Sequence, residues 1–136
     1  MYFFVLGIFF KLFGLGITQA RLVSVIVGLF LISCVYFTTK EIATKKAAIL
    51  ATLFLVVNPL FILSARMVRQ EMMTIVFGFF AFMLLMYETK KNKNESSWYF
   101  IVAGIFSALA ILVHLNGLLI AVALICVILT LSRSWK

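Results

Sequence analysis

Residues 98–131 read WYFIVAGIFSALAILVHLNGLLIAVALICVILTL, from Trp98 to Leu131, and HLNG (His114–Gly117) is the only polar interruption. As one helix this stretch would measure about 50 Å, against a hydrocarbon core of about 30 Å. It therefore has to turn at HLNG, giving two antiparallel apolar helices. Gly117 suits a tight turn, because glycine adopts positive φ at no steric cost.

The rest of the chain extends the pattern. Apolar runs cover Tyr2–Leu15, Leu22–Thr39, Ala47–Leu63 and Met72–Tyr87. The 136-residue chain is 65% hydrophobic, with 15 Phe and one Pro, and only 12% of it is charged. A soluble domain of this size lacks the interior to bury so much apolar side chain, whereas lipid can cover the outside of every helix. The expected fold is all-α: a polytopic transmembrane helical bundle, with about five full spans plus one truncated span at the start. No repeat, linker or low-complexity segment divides it, so residues 1–136 read as a single transmembrane domain. Met1–Phe10 is not a signal peptide, since no cation precedes it and no small-residue cleavage site follows. Cys34 and Cys126 each lie inside an apolar run and read as packing residues, not as a disulfide.

The net charge of +8 does not indicate nucleic acid, because the cations sit in short clusters between apolar runs and form no basic groove. They determine topology. KEIATKK (Lys40–Lys46), ETKKNKNESS (Glu88–Ser97) and SRSWK (Ser132–Lys136) fall on one side with eight Lys and Arg; Lys11, Arg21, Arg66 and Arg69 fall on the other. The richer side is expected to be cytoplasmic, with Trp98 and Tyr99 at an interface. The opposite, extracytoplasmic face then holds Arg66, Arg69, Glu71, His114 and Asn116.

The segment ILSARMVRQEMM (Ile62–Met73) places two arginines and a glutamate between apolar runs. At mid-bilayer each charge would cost roughly 3 kcal/mol, so the three must lie near the interface or face a polar cavity. Asn58-Pro59 is expected to kink or loosen the preceding span. In one continuous helix Glu71 would point about 200° away from Arg69, toward lipid or another helix. A break is therefore expected here, with a new helix beginning near Val68–Gln70 and Glu71 in its first turn, where the helix dipole favours a negative charge. Two guanidinium groups beside a helix start suit a phosphate. The simpler alternative is that the arginines extend to lipid headgroups and Glu71 pairs with one of them. For His114, a local hydrogen bond competes in the same way with ligand binding. Nothing has the spacing of a metal site, a Ser-His-Asp set or a phosphate-binding loop.

The motifs taken in order resemble the polytopic GT-C glycosyltransferases that use polyprenyl-phosphate sugars, the protein O-mannosyltransferase-like, aminoarabinose-transferase-like and Rgt-like enzymes. Many of these carry S-R-x-x-R-P-E after a Pro-containing span; Arg69-Gln70-Glu71 is similar, with Gln70 in place of Pro. They later carry H-P-x-G at the end of a Gly-containing span; His114-Leu115-Asn116-Gly117 is similar, with Leu115 in place of Pro. Phe13, Gly14, Arg21, Leu22, Ser24 and Gly28 match a third stretch, F-G followed by R-L-x-S-x-x-x-G. The resemblance spans nearly the whole chain and implies transfer of a sugar from a polyprenyl-phosphate donor to a glycan, lipid or protein acceptor on the extracytoplasmic side of a plasma or inner membrane. It implies a catalytic role for Glu71 as the family's second acidic residue, facing the donor or an associated divalent metal, and Arg66, Arg69, His114 and Asn116 as ligands of the donor phosphate. Metal dependence is left open. It also implies an essential acidic residue upstream of Tyr2–Phe13, so that this chain is expected to be an internal fragment, inactive alone. The competing class is a small non-enzymatic membrane protein, a transporter or assembly subunit. Proton-coupled carriers keep an ionisable residue inside a span, whereas Glu41, Glu71, Glu88 and Glu95 all lie at or near span ends.

Overall fold

The computed structural model describes residues 2–90 and 98–133, with side chains over 2–88 and 98–130. Most of the basic segment Glu88–Ser97 and of the tail Ser132–Lys136 lies outside the described residues, and with them Asn94. Among the described residues the chain is entirely helical and turn: α1 (Tyr2–Phe13), α2 (Ile17–Ile42), α3 (Lys45–Val57), α4 (Pro59–Arg66), α5 (Gln70–Lys90), α6 (Trp98–Val113) and α7 (Gly117–Arg133).

Each boundary has a local cause. Gly14, at φ 85°, closes α1, and its N–H donates to the Phe10 carbonyl at 2.9 Å, the usual left-handed helix ending. Gly16 is extended and leads into α2. Thr44 caps α3, its hydroxyl accepting from Ala47 N–H at 3.2 Å, which satisfies one of the free donors of a helix start. Asn58 does the same for α4, accepting from the N–H groups of Leu60 at 2.9 Å and Phe61 at 3.2 Å. Pro59 occupies the first helical position, where its missing N–H costs nothing. The axis turns by 63° between α3 and α4, so the kink expected at Asn58-Pro59 is present as a full break.

The second expected break is also present. α4 ends at Arg66, Met67 is extended at φ −89°, ψ 145°, and α5 begins at Gln70 with Glu71 in its first turn. The turn at HLNG separates α6 from α7, but Gly117 is not at positive φ; Gly14 is the only described residue that is. Gly117 answers a different demand: a Cβ there would run into the Ala110 carbonyl and the Ile111 nitrogen at the end of α6.

α5 is the centre of the bundle, packed against α2, α6 and α7. Toward its C-terminal half, Ala81, Leu84 and Leu85 pack with Ala103 of α6 and Leu124 of α7. Phe80 stacks edge-on against Phe106, ring centroids 4.6 Å apart. Toward its start, Met73 packs with Tyr2 and Val113, so the beginning of α1, the beginning of α5 and the end of α6 meet at one end.

The outside of the bundle is apolar: Phe3, Leu12, Phe54 and Leu119 are each more than 70% exposed. In water every such residue would forfeit about 1.5–3 kcal/mol of burial; in a bilayer lipid provides the cover. α2 and Gln70–Glu88 are each long and apolar enough to cross a membrane, and α3 with α4 makes a third if the bent pair is one span. α1, α6 and α7 are shorter apolar helices, so among the described residues two or three spans qualify by length and composition, fewer than the five anticipated. The difference lies in α6 and α7, expected as full spans but too short to count as such by length. α2 takes in Ile17–Arg21 and reaches Ile42, because polar side chains are tolerated where a helix enters the headgroup layer. The opening run, by contrast, ends at Phe13 as a twelve-residue helix.

Candidate functional site

The two breaks in the chain position the charged side chains. Because α4 stops at Arg66 and α5 starts at Gln70, residues 67–69 cross between them. Arg69 N–H donates to the Met67 carbonyl at 2.9 Å in a tight local turn. This detour removes the 200° problem of a continuous helix. Arg69, Gln70 and Glu71 line one cleft of about 270 Å³ together with Val68, Tyr2 and Phe3. The cleft opens at the start of α5, whose free N–H groups carry the positive end of the helix dipole.

Arg66 takes the other direction. It lines a separate cleft of about 560 Å³ with Leu63 and Met67 from its own segment and Arg21 and Val25 from α2. The two clefts share no residue, so Arg66 and Arg69 are divided by the Met67–Val68 link. Among the described residues Glu71 makes no ion pair with either arginine.

His114 and Asn116 lie at the turn between α6 and α7, next to Val113 and so at the same end of the bundle as Met73 and Tyr2. Neither lines either cleft. His114 Nδ1 accepts from Asn116 N–H at 3.1 Å and the His114 carbonyl accepts from Gly117 N–H at 2.8 Å. The imidazole is therefore engaged in holding the turn through Nδ1, with Nε2 as its remaining donor. Glu71 could supply one metal ligand, but no group of three His, Cys, Asp or Glu is gathered among the described residues. One carboxylate does not make a divalent-cation site, and no step is derived through a metal.

Two cleft-lining residues were given no site role by the reading of charge and motif. Tyr2, only 3% exposed, forms a wall of the Glu71 cleft, and nothing in the sequence ties an aromatic residue at position 2 to position 71. Arg21 had a visible signal: it is a cation one turn inside an apolar helix, where a charge needs a reason.

A bundle that is all-helical among the described residues, with an apolar exterior, defines an integral membrane protein. The chain belongs to the dolichyl-phosphate-mannose-protein mannosyltransferase family, whose model matches residues 1–136, its whole length. The family is one of membrane glycosyltransferases of the GT-C type. No curated protein and no solved structure matches the chain.

Proposed function

We propose that this chain forms part of a membrane glycosyltransferase that moves a sugar from a polyprenyl-phosphate donor to an acceptor at the extracytoplasmic face. The observation that carries the reading is the cleft shared by Arg69 and Glu71 at the start of α5, in a chain whose whole length matches a glycosyltransferase family. The bond from the sugar's anomeric carbon to the phosphate oxygen breaks as one to the acceptor oxygen forms. The acceptor loses its proton and the lipid phosphate leaves with the bonding pair. Negative charge grows on that phosphate, and Arg69 with the α5 N–H groups is placed to offset it. Glu71 is the one carboxylate lining the cleft and is assigned to the acceptor side, as general base or orienting group. His114 and Asn116, at the same end, are assigned to a further part of the donor through His114 Nε2 and the Asn116 amide. The extracytoplasmic placement rests on the excess of cations in the opposite loops.

The test is sugar transfer in membranes by a complete enzyme that contains this segment. Glu71→Gln is expected to abolish turnover while membrane insertion and helical content stay intact. Normal transfer by Glu71→Gln would remove Glu71 from the chemistry. Unchanged assembly with no transfer even in the wild type would favour a structural subunit.

A further inference from the structure

Most hydroxyl groups on these helices satisfy themselves. Ser33 donates to the Leu29 carbonyl at 3.0 Å, Thr52 to Ala48 at 3.0 Å, Thr74 to Gln70 at 3.2 Å and Thr130 to Cys126 at 3.0 Å, each reaching back one turn of its own helix. Ser24 of α2 does not. It is only 2% exposed, yet its Oγ has no hydrogen-bond partner, and neither has the hydroxyl of Tyr2. The two hydroxyls face each other between α1 and α2 without the geometry of a hydrogen bond. A buried hydroxyl left unpaired has lost its water without replacement, so two that face each other need a reason. Thr38 and Glu88 also carry an unpaired buried oxygen, but toward the C-terminal ends of α2 and α5, away from the cleft of Arg69 and Glu71.

Tyr2 connects this pair to the site. Its side chain belongs to a buried cluster with Met73 and Phe77 of α5 and Val113 of α6, and it is also a wall of the Arg69–Glu71 cleft. Ser24 lies one turn before Gly28 on the same face of α2. At Gly28 a methyl group would lie 3.7 Å from Met72 in the first turn of α5, the turn that carries Glu71. The hydroxyl pair therefore stands beside the start of α5, behind the cleft. Protein holds the Tyr2 ring on its other sides, and the cleft bounds the remaining one. Whatever fills the cleft touches the ring, and a small shift of the ring is enough to bring its hydroxyl into line with Ser24.

We propose that Tyr2 is a positioning residue of this cleft, latched to Ser24 by a hydroxyl–hydroxyl hydrogen bond that closes when the donor fills the cleft. This role rests on the transfer reaction proposed above. In the empty cleft the two hydroxyls stay unpaired. With donor in place they pair, and the aromatic wall is fixed to α2 beside Arg69 and Glu71. Because the bond exists only in the filled state, it favours that state by its own free energy. It persists through transfer, so it strengthens donor binding and leaves the chemical step unchanged.

The experiment is a double-mutant cycle of Tyr2→Phe and Ser24→Ala, read in two ways. Unfolding of this chain in bicelles without donor is followed by circular dichroism. Each variant should keep or raise the wild-type midpoint, because it removes an unpaired buried hydroxyl, and the two shifts should add. Sugar transfer is measured in a complete enzyme that contains this segment, with polyprenyl-phosphate mannose as donor. Each single variant should raise the donor KM about fivefold and keep kcat, the effect of losing one neutral hydrogen bond. The double variant should be no worse than either single one, because either change breaks the same bond. Lowered midpoints with non-additive shifts would mean that the hydroxyls are already paired in the empty protein as a structural contact, and would overturn the proposal. So would a wild-type KM in both variants, a fall in kcat at wild-type KM, or losses that multiply in the double variant. Absence of transfer by the wild-type enzyme from this or any other polyprenyl-phosphate sugar would overturn the proposed function and this role with it, whereas normal transfer with an unmoved KM removes the latch alone.

Discussion

Replacing Gly117 with alanine is the most direct test of the turn that divides α6 from α7. The added Cβ would meet the Ala110 carbonyl and the Ile111 nitrogen, both held in the last turn of α6 by helical hydrogen bonding. Overpacking against side chains ordinarily costs about 1–3 kcal/mol. Here the obstacle is backbone that cannot rotate away, so about 3 kcal/mol is expected, somewhat over a hundredfold in the folding equilibrium. Two other glycines calibrate the result. At Gly78 of α5 a Cβ would run into the Ile120 side chain, closest at Cγ2, with Cδ1 at 2.7 Å and Cβ at 3.3 Å. Ile120 is stiff but can shift, and alanine gains up to about 1 kcal/mol of helix propensity. Gly78→Ala should therefore be destabilised by about 1–2 kcal/mol, less than Gly117→Ala. Gly104 of α6 has nothing within 4 Å of its would-be Cβ, so Gly104→Ala should be neutral or slightly stabilised. The assay is denaturant titration of the protein in bicelles, followed by helical circular dichroism. If Gly117→Ala is as stable as Gly104→Ala, the close approach at the α6–α7 turn is not present and the reasoning fails.

Arg69→Ala should slow transfer at limiting donor by about tenfold or more, with Arg69→Lys intermediate because it keeps the charge but loses the fork; equal rates for alanine and wild type would leave Arg69 as a surface cation. Asn58→Ala removes the acceptor for two N–H groups at the start of α4 and should cost about 1 kcal/mol in the same unfolding titration, while an unchanged midpoint would deny the cap. Asn94-Glu95-Ser96 is an N-glycosylation acceptor sequence. On insertion into microsomes it should stay unmodified, and an efficient gel shift there would invert the topology and place Arg69 and Glu71 on the cytoplasmic side.

Apolar content and the spacing of polar interruptions made the helical membrane character legible, because a bilayer leaves so few alternatives for a chain this rich in Phe, Leu and Ile. Local chemistry also announced the breaks. Asn58-Pro59 caps and starts a helix by rules that act over three residues, and Glu71 could not share a site with Arg69 unless the helix restarted between them. HLNG had to be a turn on length alone. What could not be read was which side chains face one another across the bundle. Arg66 and Arg69 are three residues apart, yet they enter different clefts, because the 63° bend at Pro59 and the extended Met67 direct α4 toward α2 and Arg69 toward α1. Arg66 thereby gains Arg21 as its companion, and Glu71 gains Tyr2, across 45 and 69 positions of chain. The role of Gly117 was misread for the same reason: its demand comes from the packed end of α6, not from its own φ. Periodicity and capping act within a few residues and are written in the local sequence, whereas the composition of a cleft depends on helix crossing, which only the packed bundle decides.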